Sequence, residues 1–566
     1  MTTSRKPIYL NWFALFIFSG VGLIGYLMKA TDWFHSTPGD LIDARFNSVI
    51  LEHLYKWLKI GLNGNWTDVW SPTFFYPYQN TLAFSDNHFG SALSYLLLRY
   101  VGFTREISFS GWYVMGFFLN FSCSFWVFRR FQFNIFSSSA AAFVFSFSLP
   151  VIAQDVHSQF SYRFAIPLAF LAFCNLINSR SLRALAWLTF WISLQFFCSI
   201  YMGAFLLIYL AACSLPIFLF WQKNCEASFL EEPRTKNTAS KLAYLLLLIA
   251  SFLASLALAM KYQSVSQQYG FTPDPWEIRS MIPRLESYLI ADRSELSNFI
   301  GIALAENLSN SPYRGEHQLF LGIGVLIFFV LGTYYCWGSN ATKKSHPNQI
   351  QIRIGRIAFI AFVTIFLGTL MFGIGSAWMQ FADIPGIKFI RAVSRIILIM
   401  IFPVSIIVAI ACEKLYYSAY FDASKKKIML ISSVAILLCI ETIFFQNSKT
   451  PNKAWAQRIE NLMYYLPHDI DKNKILFVPK DETKPGYELP EVDAMILAQD
   501  IGIPTVNGYS GKFPPGNHHN PIERCISAQE RLEGYAKFKG TMSEHEIAQI
   551  MKQIVIIPTI SCGLAK

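Results

Sequence analysis

Residues 9–28 read YLNWFALFIFSGVGLIGYLM, a run without a single charged side chain. About 20 apolar residues in a helix are enough to cross the hydrocarbon core of a bilayer. Similar runs recur over roughly the first four-fifths of the chain. We count about eleven of them, beginning near Tyr9, Ser108, Ile135, Phe164, Leu185, Gly203, Leu242, Gln318, Ile357, Ile396 and Ile428. The sequence therefore predicts an all-α multi-pass membrane protein with about eleven transmembrane helices.

The composition supports this class. Of the 566 residues, 53% are hydrophobic and only 15% are charged. Soluble domains carry about a quarter charged residues. The deficit is concentrated in the long apolar runs, which is typical of a polytopic membrane protein.

The net charge of +11 at first suggests a nucleic-acid partner. The basic residues, however, form short clusters in every second connector between apolar runs, which is the positive-inside pattern. This pattern predicts a protein of the plasma (inner) membrane with a cytoplasmic N-terminus and no nucleic-acid partner. Contact of these clusters with acidic lipids is the alternative. The first run exceeds a signal-peptide core and has no A-x-A site, so we expect an uncleaved anchor.

Three polar pieces are predicted on the extracytoplasmic face: the loops 30–106 and 261–316, and the C-terminal part 446–566. Within the first loop, His88–Phe103 is apolar but short and contains Arg99, so we expect a helix lying on the membrane surface. We divide the chain into a transmembrane domain, 1–445, and an extracytoplasmic domain, 446–566.

The C-terminal part shows alternating strand and helix patterns. KILFVPK and QIVIIPTI are typical of short buried strands, and LPEVDAMILAQDIG of a helix ending at Gly502. The sequence therefore predicts a small α/β domain. Cys525 and Cys562 could form a disulfide there if the domain is extracytoplasmic.

Asp40 and Asp43 follow the first run in TPGDLIDARF. Their spacing places both carboxylates on one helix face if this stretch is helical. Asp40 is a candidate general base at the membrane surface, or simply the N-cap of the next helix. Asp43 could bind substrate or pair with Arg45.

SDNHFG places Asp86 and His88 just before the surface helix. Asp86 could orient the acceptor or the base, and His88 could bind substrate; a helix cap is the simpler explanation. The connector AQDVHSQFSYRF adds His157 and Arg163, which could contact a phosphate or belong to a solvated turn.

GIKFIRAVSRI places Arg391 and Arg395 at the predicted outer end of a span, with i, i+4 spacing. Cations are disfavoured on this side, so we expect an anionic partner, either a lipid headgroup or a substrate phosphate. Glu316 in RGEHQLFLG is a weaker candidate for substrate binding. The chain contains no Walker loop, GxSxG or HExxH motif.

In these features the chain resembles the GT-C class of polytopic glycosyltransferases, in particular bacterial members. The resemblance rests on the overall architecture and on loose motifs: PGDLID, FFYP…SDNHFG, HSQF…RFAIPL, GEHQLFLG, PGIKFIRAVSR and TVNGYSG. It implies a polyprenyl-phosphate-linked sugar as donor, a glycan, lipid or protein as acceptor, and no cofactor. The position that matches the class's first-loop aspartate is Asp40. Because no WWDYG-like motif is present, no metal site is predicted.

The mechanism implied is transfer with inversion, in which Asp40 accepts the acceptor's proton. Two other classes stay open: a transporter or flippase for lipid or polysaccharide, and a non-catalytic membrane scaffold. A transporter would favour polar residues deep within the spans.

Overall fold

The computed structural model describes residues 8–220, 238–338, 346–373, 375–381, 384, 390–421, 423–467, 469–479, 488–517 and 526–557. The predicted disulfide partners Cys525 and Cys562 lie outside the described residues. The described chain is mostly helical.

The helices of the first half alternate between long apolar rods and short surface pieces. They are α1 (Ile8–Gly20), α2 (Lys29–Thr31), α3 (Asp43–Leu62), α4 (Leu93–Val101), α5 (Arg105–Arg130), α6 (Ile135–Phe147), α7 (Leu149–Ile152), α8 (Ala165–Ser179), α9 (Leu182–Cys198), α10 (Ile200–Phe220) and α11 (Thr238–Tyr269). A π-helical segment, Val21–Met28, joins α1 to α2.

The second half contains the remaining rods and the helices of the C-terminal part. They are α12 (Pro275–Ser280), α13 (Asn298–Leu304), α14 (Ile323–Gly338), α15 (Gln349–Thr369), α16 (Ala377–Phe381), α17 (Ile397–Tyr416), α18 (Ser424–Ile443), α19 (Asn452–Met463), α20 (Leu489–Ile501), α21 (Ala528–Lys539) and α22 (Glu544–Met551). The strands are β1 (Ser36–Pro38), β2 (Met371–Phe372), β3 (Gly375–Ser376), β4 (Lys449–Pro451), β5 (Ile475–Phe477) and β6 (Ile554–Ile556).

Seven helices in the described chain are long and apolar enough to cross a membrane. They are Trp12–Thr31, Arg105–Arg130, Ile135–Ile152, Ile200–Ile217, Thr238–Tyr269, Gln349–Thr369 and Val393–Tyr416. The apolar helices α8, α9 and α14 are shorter, at 10–17 residues. The predicted number of about eleven spans is therefore not confirmed.

The core of the bundle is built around α17. Every residue from Ile397 to Glu413 is buried, because this helix is apolar on all sides and packs against α6, α14 and α15. By contrast, α11 exposes most of its apolar surface and packs mainly on α9. An apolar helix that stays exposed in the protein is suited to contact with lipid.

The two ends of the bundle differ in composition. At one end, Asn134 before α6 donates its backbone N–H to Glu413 Oε2 in the last turn of α17 at 3.0 Å. At the other end, Arg293 Nη1 donates to Asp155 Oδ1 at 2.7 Å and the backbone N–H of Ser448 donates to Asp155 Oδ2 at 2.8 Å. This second end carries the large polar pieces, and we call it the polar end.

At the polar end, the first loop and the C-terminal part fold together. Strand β1 pairs with β4 in an antiparallel register that sets Ser36 opposite Pro451. Further along, the backbone N–H of Phe75 donates to Asn507 O at 2.9 Å, and that of Thr505 donates to Thr73 O at 2.8 Å. The division predicted at residue 446 therefore separates two segments that pack on each other.

The C-terminal part contains the predicted strands and helices. Strand β5 pairs in parallel with β6, and Thr505 forms a parallel bridge to Leu476 on the other side of β5. Along the chain, helix α20 lies between β5 and the bridge residue Thr505, which is the order of a parallel crossover. It ends at Gly502, whose φ of 77° is readily adopted only without a Cβ.

The predicted surface helix is α4, Leu93–Val101. It exposes Leu93, Leu97 and Tyr100 on one side, while Arg99 reaches Glu52 on α3 with an Nε–Oε2 distance of 2.8 Å. This arrangement agrees with a helix that lies against the membrane surface.

Candidate functional site

Asp40 lies in the turn before α3 rather than within a helix. Its Oδ1 accepts hydrogen bonds from the backbone N–H of Ile42 at 3.2 Å and of Ala44 at 3.0 Å. The bond from Ala44 satisfies a backbone N–H in the first turn of α3, although Ile42 is the N-cap residue. Because α3 begins at Asp43, Asp40 lies outside the helix, and the condition for a shared helix face is not met. The backbone bonds go to Oδ1, which leaves Oδ2 available for another partner.

The pKa of Asp40 is raised from its ordinary value of 3.8. Burial is the main cause and the nearby charge of Asp43 is the second, whereas the two backbone N–H groups and His157 act in the opposite direction. A carboxylate with a raised pKa is a stronger base than an ordinary aspartate.

Asp43 connects three parts of the chain. Its Oδ1 accepts a hydrogen bond from Tyr509 Oη at 2.8 Å, and its Oδ2 lies 3.6 Å from His157 Nδ1. It does not pair with Arg45, which donates to Asp493 instead at 2.5 Å. Its carboxylate is therefore held between the C-terminal part and the connector after α7.

His157 continues this chain of contacts into the helix bundle. Its Nε2 lies 2.9 Å from Arg395 Nη2 and 3.3 Å from Glu316 Oε1. His157 thus contacts a cation and a carboxylate through Nε2, and Asp43 through Nδ1. We call Asp40, Asp43, His157, Glu316, Arg395 and Tyr509 the His157 cluster.

Arg395 and Glu316 form the buried base of the cluster. Arg395 Nε donates to both Glu316 oxygens, at 3.1 and 2.9 Å, and the guanidinium lies between the rings of Phe160 and Tyr201. Burial alone would raise the pKa of Glu316, but Arg395 and His157 hold it well below its usual range. Arg395 is thus already neutralised by a carboxylate.

Arg391 occupies a different position from Arg395. It precedes the short 3-10 turn Val393–Ile396, so the two arginines do not share a helix face as predicted. Arg391 Nη1 donates to Glu277 Oε1 at 2.8 Å, and 32% of its side chain is exposed. Lys512 lies nearby: burial is the main cause that lowers its pKa, and the charge of Arg391 is the second.

Asp86 and His88 are buried behind the cluster. Asp86 Oδ1 accepts from the backbone N–H of Ile200 at 2.7 Å, at the start of α10. Burial raises the pKa of Asp86 to about 6. His88 Nε2 lies 2.8 Å from Asn47 Oδ1, and burial lowers its pKa to about 3. Both residues thus support α3 and α10 rather than face solvent.

Arg163 is fully buried and points away from solvent. Its Nη1 donates to Leu398 O at 3.1 Å and its Nη2 to Phe145 O at 3.0 Å. The predicted phosphate contact would require this side chain to leave both backbone carbonyls. Arg163 instead links α6 to α17 through these two hydrogen bonds.

The cluster can therefore supply a carboxylate base and a fixed imidazole, and Arg391 outside it is an accessible cation. The side chains of Asp43, in the cluster, and of Arg391 are each 32% exposed. Tyr509 and Lys512 were not among the predicted site residues, although the motif TVNGYSG and the lysine after it contain them. Within the described residues, no group of three or more His, Cys, Asp or Glu side chains could hold a metal ion.

A comparison with known proteins finds no family model and no curated protein that matches this chain.

Proposed function

We propose that this protein is a membrane glycosyltransferase that moves a sugar from a polyprenyl-phosphate donor to an acceptor hydroxyl on the extracytoplasmic face. The observation that carries the proposal is the chain of contacts from Asp43 through His157 to Arg395. These residues come from distant parts of the sequence and meet at the polar end of the bundle. A base, a positioned imidazole and nearby cations suit transfer from a phosphate leaving group.

Asp40 is the proposed base. In the reaction, the acceptor oxygen attacks the anomeric carbon, the bond between that carbon and the phosphate oxygen breaks, and the configuration inverts. The acceptor proton goes to Asp40 Oδ2, and the lipid phosphate leaves with the bonding electron pair. The raised pKa of Asp40 and the attachment of its Oδ1 to the backbone support this role.

Arg391 and Lys512 are the proposed partners of the departing phosphate. The ion pair between Arg391 and Glu277 is partly exposed, and such pairs are weak enough to exchange. Arg395 is buried and paired with Glu316, so we assign it the positioning of His157 instead. Asp86, His88 and Arg163 support the helices around the site.

The rival transporter reading receives less support from the centre of the bundle. Between Ile396 and Ala411, α17 carries no charged side chain although it is the most buried helix. Transport of a charged lipid or sugar through the bundle normally relies on polar groups at the bilayer midplane. The buried ion pair of Arg395 and Glu316 lies at the polar end instead.

The test is a transfer assay with the full chain in liposomes that contain a lipid extract carrying sugar-linked polyprenyl phosphates. Mass spectrometry should show loss of the sugar-linked lipid and appearance of the free polyprenyl phosphate, with the sugar on an added acceptor pool. Movement of intact donor across the bilayer without its consumption would replace the proposal with a transporter. If neither donor consumption nor donor movement is observed, the non-catalytic scaffold replaces the proposal.

A further inference from the structure

A cavity of about 290 Å³ lies between α19, α3, the first turn of α5 and α20, apart from the His157 cluster. Its lining includes Arg45, Arg105 and Trp455, together with the carboxylates Glu106 and Glu460. This volume is just below the range of about 300–1,000 Å³ that is usual for ligand sites. It suits a headgroup rather than a whole lipid.

The inner wall of the cavity holds buried donors without acceptors. Arg45 is fully buried, and its Nε and Nη2 have no hydrogen-bond partner within the described chain. The same is true of Arg105 Nε and Trp455 Nε1, on side chains that are 8% and 1% exposed. Buried donors are normally paired, so four unpaired ones on three residues that line the cavity point to an acceptor-rich ligand.

The acids next to these arginines are already used. Asp493 accepts from Arg45 Nη1 at 2.5 Å and from Arg458 Nε at 2.9 Å. Asp500 accepts from Arg105 Nη2 at 2.6 Å. Within the described part of the chain, the remaining donors have no acceptor, and a phosphate group offers several oxygens at once.

The outer part of the cavity has the opposite character. Glu460 is exposed and Glu106 is half-buried, so both carboxylates lie nearer the surface than Arg45. A ligand with phosphate at one end and a cation at the other would match both parts. Glu106 and Glu460 would repel a ligand that carries only negative charge.

The position of the cavity is consistent with headgroup depth. Arg105 is the first residue of α5, which is long and apolar enough to span a membrane, and Tyr464, directly after α19, is 84% exposed. Exposed aromatic rings are typical of the membrane–water interface. On these grounds we infer that the cavity binds a phosphoethanolamine-type headgroup, with the phosphate against Arg45, Arg105 and Trp455 and the ammonium against Glu106 and Glu460.

The test measures lipid retention by the full-length protein in detergent with native mass spectrometry. The probes are phosphatidylethanolamine, phosphatidylglycerol and soluble phosphoethanolamine. Trp455→Phe keeps the ring but removes one donor, so affinity for both lipids should fall roughly tenfold. The double variant Glu106→Gln, Glu460→Gln should lower the preference for phosphatidylethanolamine over phosphatidylglycerol by about tenfold.

The controls are Trp276→Phe and Glu544→Gln, which alter exposed residues outside the cavity. Displacement of lipid by soluble phosphoethanolamine would support the same chemistry with a soluble source. Unchanged lipid affinity in Trp455→Phe would overturn the phosphate site and indicate that water pairs with the buried donors. An unchanged lipid preference in the double glutamine variant would overturn the ammonium site.

Discussion

His157 Nδ1 lies 3.6 Å from Asp43 Oδ2, which joins the connector after α7 to the first residue of α3. On its other side, His157 Nε2 lies 2.9 Å from Arg395 Nη2, just before α17. One imidazole thus couples the acidic first loop to the bundle.

Asp40→Asn should lower sugar transfer by about 10²–10⁴-fold, because the amide cannot accept the acceptor's proton. The protein should remain folded, since the amide oxygen can still accept the two backbone hydrogen bonds. The measurement is turnover in liposomes, with Asp68→Asn as a control at an exposed turn. Full turnover in Asp40→Asn would remove this residue from the mechanism.

The acid limb of the pH–rate profile should lie above pH 3.8, the ordinary aspartate value. Asp40 must be deprotonated to act as base, and its pKa is raised by burial first and by Asp43 second. Turnover should therefore fall as pH drops through this raised pKa. Asp43→Asn removes the second cause, so the limb should move to lower pH. If the acid limb stays at the same pH in Asp43→Asn, a group other than Asp40 controls it.

Tyr509→Phe should lower turnover roughly tenfold and cost about 1 kcal/mol in stability, because Asp43 loses one fixed hydrogen bond. The ring would still pack against Phe46, 5.7 Å away between centroids. Turnover and thermal unfolding in detergent measure the two effects. Tyr464→Phe, at an 84% exposed position, is the matched control and should change neither. Wild-type turnover in Tyr509→Phe would mean that the contact with Asp43 is not used.

Asp86→Asn should stabilise the protein by about 1–3 kcal/mol at pH 7.5, because it removes a buried charge and keeps the hydrogen bond from Ile200. The folded pKa of about 6 exceeds the ordinary 3.8. The folded state therefore holds more protons between these values, and wild-type stability falls as pH rises through that window. The gain of Asp86→Asn should vanish near pH 4.

Thermal unfolding of the Asp86→Asn protein at both pH values measures this difference. Asp471→Asn, at an exposed position, should show no such dependence. A stability loss at pH 7.5 would indicate that the Asp86 charge stabilises the start of α10 more than burial opposes it.

Arg395→Met and Glu316→Gln should each cost about 3–5 kcal/mol, since either change leaves its buried partner without a counter-charge or full hydrogen bonding. The double variant should lose much less than the two single losses combined. Thermal unfolding in detergent of the wild type, both single variants and the double variant gives the double-mutant cycle. Asp32→Asn, in a surface pair with Lys449 at 3.6 Å, should cost less than about 1 kcal/mol. Additive losses would contradict the pairing.

Much of the architecture follows from local sequence. The apolar runs correspond to helices, and Ser527 with Glu530 and Ser543 with Glu546 form capping boxes that start α21 and α22. The number of spans was harder to predict, because α8, α9 and α14 are apolar but short. Hydropathy reports the composition of a run, whereas the length of the helix depends on where its caps fall.

The candidate site could be predicted only in part. The chain order identified Asp40, Asp43, His157, Glu316, Arg391 and Arg395, because polar residues between apolar runs stand out. It did not reveal that Asp86 caps α10, that Arg163 binds two backbone carbonyls, or that Tyr509 contacts Asp43. These assignments depend on partners that are far away in sequence.

Composition and hydrophobic period are enough to predict apolar helices of membrane-spanning length, with polar chemistry in the connectors. Which charges are neutralised and which stay accessible depends on tertiary contacts. Arg395 and Arg391 are four residues apart, yet Arg395 is buried in a pair with Glu316, whereas Arg391 pairs with Glu277 and stays partly exposed. Burial and pairing are set by long-range packing, and these two quantities control the chemistry of an ionisable group.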